Sequence, residues 1–142
     1  AAMPAERQAV IRHRFAAAHV LAHPALPDAE NRRLYGKCAN PNGHGHDYGL
    51  EITVTGPVDP LSGFILPPAE FDRIVHEGIL DRLSHRMLNE DPLFGERVPT
   101  AANIAAVVHE ALADKVAASG SARLVNVRVV ETPRNIFDYG EA

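Results

Sequence analysis

The sequence predicts an α+β domain in which two helices cover one face of a four-stranded sheet. Two stretches in the first half of the chain alternate hydrophobic and polar residues, and two later stretches repeat hydrophobic residues at helical spacing. Alternation then returns near the end of the chain, which gives the element order ββααββ. Of the 142 residues, 46% are hydrophobic, which is enough for the core of one domain. We therefore predict a single domain over residues 1–142.

The first predicted strand covers residues 10–20, although its alanines are also compatible with a helix. Residues 22–36 contain two prolines and are predicted to form a loop. Residues 47–59 alternate hydrophobic and polar side chains and then reach a turn rich in proline and glycine. The two strands are predicted to pair antiparallel, joined by the long loop between them.

The first predicted helix covers residues 67–88, because it begins with prolines suited to a first helical turn and continues with hydrophobic residues at helical spacing. The second helix covers residues 100–120. Thr100 can cap its beginning, and Gly120 follows its end.

The last two strands are predicted from the alternation of residues 122–132 and from the short segment 135–142. Because the helices cover one sheet face only, the other face and the sheet edges need a partner. The topology therefore predicts a homo-oligomer.

The composition excludes several classes of protein. The formal net charge is −4 without a long basic run, which argues against nucleic acid as the partner. No apolar run approaches the roughly 20 residues that span a bilayer, so no membrane association is predicted. The single cysteine cannot form an internal disulfide, which favours the reducing cytoplasm. Residues 1–8 lack the apolar core of a signal peptide and are predicted to be a frayed end or a vector-derived remnant.

Two histidines separated by one residue form the clearest candidate for a metal site. His44 and His46 would point to the same side of a strand, where they can share one zinc ion. A third ligand is then needed. His19 is preferred because it lies near the end of the first strand, beside the start of the second, and His23 in the following loop is the competitor.

Other interpretations of this segment stay open. A His-x-His pair also occurs without a metal. The segment lacks the HxHxDH pattern of metallo-β-lactamase-like hydrolases, because Tyr48 and Gly49 follow Asp47, and one cysteine is too few for a zinc finger. Cys38 is either a small buried hydrophobe or a reactive thiol, whose pKa Lys37 and a nearby metal would lower.

The remaining histidines have no predicted role as ligands. His13 lies on the first predicted strand. His76 and His109 lie in the two helices and are predicted to be partly exposed.

Five segments resemble the 6-pyruvoyl-tetrahydropterin synthase family in order and spacing: "FAAAH", "ENRRLYGKCANPNGHGHDY", "LSHRMLN", "PTAANIA" and "VRVVET". The resemblance extends from about Phe15 to Tyr139. Five residues separate Cys38 from His44, which is similar to the 6-pyruvoyl form. In the related 6-carboxy-tetrahydropterin synthases, three residues usually separate the corresponding positions.

The resemblance implies the tunnelling fold, a four-stranded antiparallel sheet with two helices on one side. In that family three sheets close into a barrel, two trimers stack into a homo-hexamer, and active sites form between subunits. The implied activity is a carbon–oxygen lyase reaction that converts 7,8-dihydroneopterin triphosphate to 6-pyruvoyl-tetrahydropterin and releases triphosphate. The implied metal is Zn²⁺ on His19, His44 and His46, with Mg²⁺ accompanying the triphosphate.

The resemblance also implies a proton relay with one departure from the family. Cys38 matches the general base and His85 matches the histidine of the relay, but Ser84 occupies the position of the aspartate that orients it. A serine hydroxyl can form a hydrogen bond but carries no charge, so weaker catalysis is expected. Asp81, about one helical turn earlier, is a candidate substitute.

Two residues match substrate contacts of the family. Glu131 corresponds to the carboxylate that anchors the pterin through two parallel hydrogen bonds, whereas taken alone it would be a surface charge at a strand end. Thr100 corresponds to a pterin contact, although helix capping alone explains it. Asn103 stands where glutamate is common in the family, and Pro67 and Pro68 stand where an aspartate or asparagine is usual.

Two alternative functions follow from these differences. The first is a 6-carboxy-tetrahydropterin synthase of deazapurine (queuosine) synthesis, against which the cysteine spacing argues. The second is a non-catalytic or divergent pterin-binding paralogue, which Ser84 suggests.

Overall fold

A computed structural model of the chain describes residues 7–140 and contains one four-stranded antiparallel sheet in the order β1-β2-β3-β4. The strands are β1 (Arg7–His19), β2 (His44–Gly56), β3 (Arg123–Thr132) and β4 (Asn135–Gly140). The predicted sheet is therefore confirmed, with β1 beginning three residues earlier than expected. Most of the predicted frayed end, and the last two residues of the segment 135–142, lie outside the described residues.

The helices lie between the second and third strands, with one exception. They are α1 (Asp28–Tyr35), α2 (Pro68–Val75), α3 (Asp81–Leu83) and α4 (Ala101–Ala118), and a π-helical turn (His76–Leu80) joins α2 to α3. Short 3₁₀ turns occupy Gly36–Ala39, Leu88–Glu90 and Pro92–Phe94. None of the helices within residues 7–140 is long and apolar enough to cross a membrane.

The exception is α1, which lies where the sequence predicted a loop. The predicted loop is wrong because its prolines precede the helix, and the carbonyl of Pro27 accepts the Asn31 N–H at 3.0 Å in the first turn. Acidic residues in the first turn and arginines in the last complement the helix dipole. Gly36 ends the helix with φ 57°, a left-handed conformation that favours glycine.

The first predicted helix is also shorter than expected. Residues 67–88 were predicted as one helix, but α3 ends at Leu83 because Ser84 is extended, with ψ 130°, and His85 has φ 60°. A left-handed backbone at a residue other than glycine is uncommon and ends a helix. The N–H of His85 instead donates to the Ala16 carbonyl at 2.6 Å.

The core lies between the sheet and the helices α2 and α4. Alternate residues of β2 point into it, so Leu50, Ile52 and Val54 are each at most 1% exposed. Phe15 of β1 and Tyr48 of β2 are register partners whose rings stack with centroids 5.0 Å apart. The predicted cap of α4 is present, since the Thr100 hydroxyl accepts the Asn103 N–H at 3.3 Å.

The opposite face of the sheet carries charged side chains. Ion pairs cross neighbouring strands there: Arg12 with Glu51, Arg14 with Asp47, and Arg128 with Asp138. The side chains of Arg12 and Arg14 are 80% and 79% exposed. As predicted, the helices leave this face uncovered.

Candidate metal centre

Two strand ends bring three histidines together. His19, the last residue of β1, is the register partner of His44, the first residue of β2, and His46 follows two residues later on the same side. One ring nitrogen from each histidine lies within 4.8 Å of the other two. His23 is not part of this group, since its Nδ1 accepts the Ala25 N–H at 3.0 Å.

A glycine allows β2 to begin this close to β1. Gly43 has φ 75°, and a Cβ atom at this position would lie 2.8 Å from the Met87 methyl carbon and 3.3 Å from the His19 carbonyl oxygen. The positive φ strains any other residue here, and its Cβ would press on the His19 carbonyl, whereas the end of the Met87 side chain could move aside. Gly43 therefore favours the close approach of β2 to His19.

The backbone fixes the tautomer of the fully buried His19. Its Nδ1 lies 2.8 Å from the carbonyl oxygen of Pro99, which can only accept, so Nδ1 carries the proton. The Tyr48 hydroxyl oxygen lies 3.1 Å from the same nitrogen. Nε2 therefore keeps its lone pair and lies 3.0 Å from Nε2 of His44. Histidine ligands of metals are commonly oriented by such a partner at the other ring nitrogen.

The histidines fit a zinc ion. His46 Nε2 and His44 Nδ1 are buried and have no hydrogen-bond partner within the described part of the chain. Buried polar atoms normally have partners, and a cation would supply one for the nitrogen of His46. Burial lowers the pKa of His19 and of His44, which favours the neutral imidazole that binds metals. Three imidazoles are a ligand set that zinc uses in proteins.

Glu131 lies against the triad. Its Oε1 is 3.4 Å from Nε2 of both His19 and His46, and its side chain is 10% exposed. The Oε2 atom accepts a short hydrogen bond from the side-chain amide of Asn135. The alternative that Glu131 is only a surface charge is therefore wrong. Sequence reasoning missed this contact because it depends on the register of β3 beside β2.

Cys38 lies in the 3₁₀ turn that follows α1, and it is partly buried. Its carbonyl accepts the Leu21 N–H at 2.7 Å, which ties this turn to the segment after β1. Burial, and then the negative charge of Glu131, raise the pKa of the Cys38 thiol. In the metal-free protein this direction is opposite to the one expected from Lys37, whose exposed side chain does not offset the two effects.

The predicted relay is not connected within the subunit. Across residues 7–140, no hydrogen bond joins the side chains of Cys38, Ser84 and His85. The carboxylate of Asp81, the candidate substitute, lies 3.4 Å from Nδ1 of His76 instead. His85 lines a cleft over the end of β1 together with His46 and Asp47, so it does lie on the triad's side of the molecule.

Fold and site together define an α+β protein whose antiparallel sheet ends in a partly buried histidine triad suited to zinc. The family profile described as 6-pyruvoyl tetrahydropterin synthase matches residues 8–142, so the chain belongs to this family.

Individual relatives agree with this assignment. The 6-pyruvoyl tetrahydrobiopterin synthase of Homo sapiens is 40% identical over 126 residues, covering 88% of this chain and 85% of the human protein. The protein of that name from Poecilia reticulata is 37% identical over 139 residues, covering 96% and 92%. The solved Caenorhabditis elegans 6-pyruvoyl tetrahydropterin synthase has a TM-score of 0.87 at 34% identity, covering 98% of each chain. The expected tunnelling fold of the subunit is therefore confirmed.

Proposed function

We propose that this protein is a zinc-dependent lyase that converts 7,8-dihydroneopterin triphosphate to 6-pyruvoyl-tetrahydropterin and releases triphosphate. The observation that carries the proposal is the triad of His19, His44 and His46 with the Glu131 carboxylate directly beside it. Relatives named 6-pyruvoyl tetrahydrobiopterin synthase at 37–40% identity support the choice of reaction. A zinc ion held by these imidazoles supplies Lewis-acid polarisation of substrate oxygens.

Glu131 is proposed to anchor the pterin. A carboxylate suits the amino and ring N–H groups of a pterin, because it can accept two parallel hydrogen bonds. Its Oε2 already accepts from Asn135, so pterin binding would exchange this hydrogen bond for those of the ligand. The carboxylate would then hold the ring beside the histidines.

Cys38 is proposed to act as general base on the carbon-bound protons of the substrate side chain. The protein groups around the thiol raise its pKa, whereas a nearby bound cation would act in the opposite direction. The thiolate is therefore expected to form in the metal-loaded protein. His85 would receive or relay the proton, with Ser84 unable to supply the charge of an aspartate. Thr100 follows Pro99 and caps α4, and its hydroxyl is also proposed to contact the pterin.

The assembly is proposed to be a homo-hexamer in which three sheets close into a barrel. The uncovered, charged sheet face and the partly exposed Val10 and Ile136 on the two edge strands support an assembly that covers them. Light scattering should then give six times the chain mass of 15.4 kDa.

The lone cysteine is consistent with a cytoplasmic protein. Mg²⁺ is proposed to accompany the triphosphate.

A product assay tests the proposed reaction. Zinc-loaded protein is incubated with 7,8-dihydroneopterin triphosphate and magnesium, and product masses and released triphosphate are measured. The proposal expects a 6-pyruvoyl product with triphosphate release. A 6-carboxy product would assign the protein to the deazapurine branch instead. Substrate that binds without being converted would show that the protein is a pterin-binding paralogue, which is the alternative that Ser84 suggests.

A further inference from the structure

A second group of metal-ligating side chains lies between β1 and α2. Nε2 of His13 is 2.5 Å from Oδ1 of Asp72, and Nε2 of His76 is 3.7 Å from the same oxygen. One ligand atom from each of the three residues lies within 4.8 Å of the others. His13 and His19 are six residues apart on β1, so this group is about 20 Å from the triad along the strand.

We propose that His13, Asp72 and His76 form a second metal site, which binds a divalent transition-metal ion of the zinc type. Two imidazoles and one carboxylate are a donor set that zinc and its neighbours in the first transition series use in proteins. The site would join the sheet to the helix that covers it. It is independent of the proposed lyase activity.

The local structure places the donors on facing surfaces. Asp72 and His76 are four residues apart, so they lie on the same face of the helix. His13 points from β1 towards this face, and the rings of His13 and His76 meet edge to face with centroids 5.1 Å apart. His76 is also the first residue of the π-helical turn, a feature that occurs frequently at functional sites.

The imidazole of His13 is almost fully buried beside Asp72 and His76. Its side chain is 9% exposed, and its Nδ1 is buried without a hydrogen-bond partner among the described residues 7–140. The contact of Nε2 with Asp72 and the edge-to-face contact with His76 therefore orient the ring. The other two side chains are about half exposed, which leaves access from solvent.

The charges favour a cation. The Asp72 carboxylate places its Oδ1 atom beside Nε2 of both His13 and His76 and would supply a negatively charged ligand. The Asp81 carboxylate lies 3.4 Å from Nδ1 of His76 and would orient that ring with Nε2 towards the ion. Binding requires the contact between His13 and Asp72 to open to about 3.3 Å, the separation of two ligands in a tetrahedral zinc site. This is a shift of less than 1 Å.

Metal stoichiometry tests the second site. Purified variants are dialysed against Zn²⁺, and bound metal per chain is measured by mass spectrometry of the element. The wild type is expected to bind two equivalents. His46→Ala and His76→Ala should each bind one, and the double variant none. His109→Ala is the matched control, because this helix histidine contacts Tyr139 instead of either group, and it should bind two.

The outcomes separate the second site from the proposed function. A wild type that binds a single equivalent, lost in His46→Ala, would overturn the second site and leave the triad intact. Asp72→Asn provides a second test that keeps the size of the side chain, and it should also bind one equivalent. Loading with Co²⁺ adds a spectroscopic test. Visible absorption of the ion should remain in His46→Ala and disappear in the double variant, and absence of this signal in a folded His46→Ala would contradict the proposal.

Discussion

Oε1 of Glu131 lies 3.4 Å from Nε2 of His46, a buried nitrogen without a hydrogen-bond partner. Pterin anchoring and metal binding are therefore assigned to neighbouring atoms, and the two roles need separate tests.

Glu131→Gln should keep the metal and weaken pterin binding. The amide has one acceptor instead of two and no charge, so the dissociation constant should rise about 10- to 100-fold. Pterin affinity by fluorescence titration and zinc content by elemental analysis measure the two effects separately. Loss of zinc from the variant would identify Glu131 as a metal ligand instead.

His46→Ala should lose the triad's metal and the lyase activity together, because it removes one of three imidazoles. Turnover and zinc content are compared with those of His109→Ala, which should retain both. Zinc retained at the wild-type stoichiometry would contradict the assignment of His46 as a ligand.

Cys38→Ala should retain zinc and lose turnover by about 10²- to 10⁴-fold, the usual contribution of a general base. The thiol is partly buried and is not a member of the histidine triad, so its removal should leave the metal ligands in place. Single-turnover assays on zinc-loaded protein measure this effect. Wild-type turnover in the variant would eliminate Cys38 as the base.

Ser84→Asp should raise kcat if the missing carboxylate weakens the relay. A charged partner stabilises the protonated form of His85, which the serine hydroxyl cannot do. The pH profile of kcat should shift together with the rate. Ser84→Asn is the matched control without charge and should give no increase. An unchanged rate in Ser84→Asp would indicate that protons leave by another route.

Asp91 should contribute stability that depends on pH. The Arg82 guanidinium donates to both carboxylate oxygens at 2.8–3.0 Å and lowers the pKa of Asp91. A folded-state pKa below the unfolded value of about 3.9 means that the contribution is complete above that pH and is lost as the pH falls through the folded-state pKa. Asp91→Asn should therefore cost about 1–2 kcal/mol at pH 7 and progressively less in acid.

Urea unfolding of wild type and Asp91→Asn across this pH range measures the difference. Asp114→Asn, an exposed change on α4, should alter stability little at any pH. A difference between wild type and Asp91→Asn that stays constant down to acid pH would show that charge does not cause it.

The sequence pattern was sufficient to predict the sheet and the position of the histidine triad. Alternation of hydrophobic residues located the strands, and the antiparallel pairing of β1 with β2 placed His19 beside His44. The short helix α1 was missed, because its two preceding prolines resemble a loop and its eight residues bury little apolar surface.

The sequence pattern could not predict the contacts between residues that are distant in the chain. Glu131 lies beside the histidines because β3 pairs with β2. This pairing contains a register shift near Thr53 that no local sequence pattern predicts. His13 and Asp72 are 59 positions apart, so local sequence patterns do not predict their contact. The four-residue spacing of Asp72 and His76 indicates only that these two residues share one face of a helix. The end of α3 depends on the left-handed backbone of His85, a conformation that is uncommon at residues other than glycine and that the helical pattern of residues 67–88 does not predict.

The segment from His85 to Met87 also has a consequence for how copies of this chain can add to one another. Ala16 and Ala18 of the edge strand β1 already exchange backbone hydrogen bonds with this segment. A strand from a neighbouring copy would have to displace His85 before it could pair along the last third of β1. Another strand therefore cannot pair with this end of β1 while His85 keeps its position. The segment from His85 to Met87 protects the unpaired end of the edge strand from strand exchange.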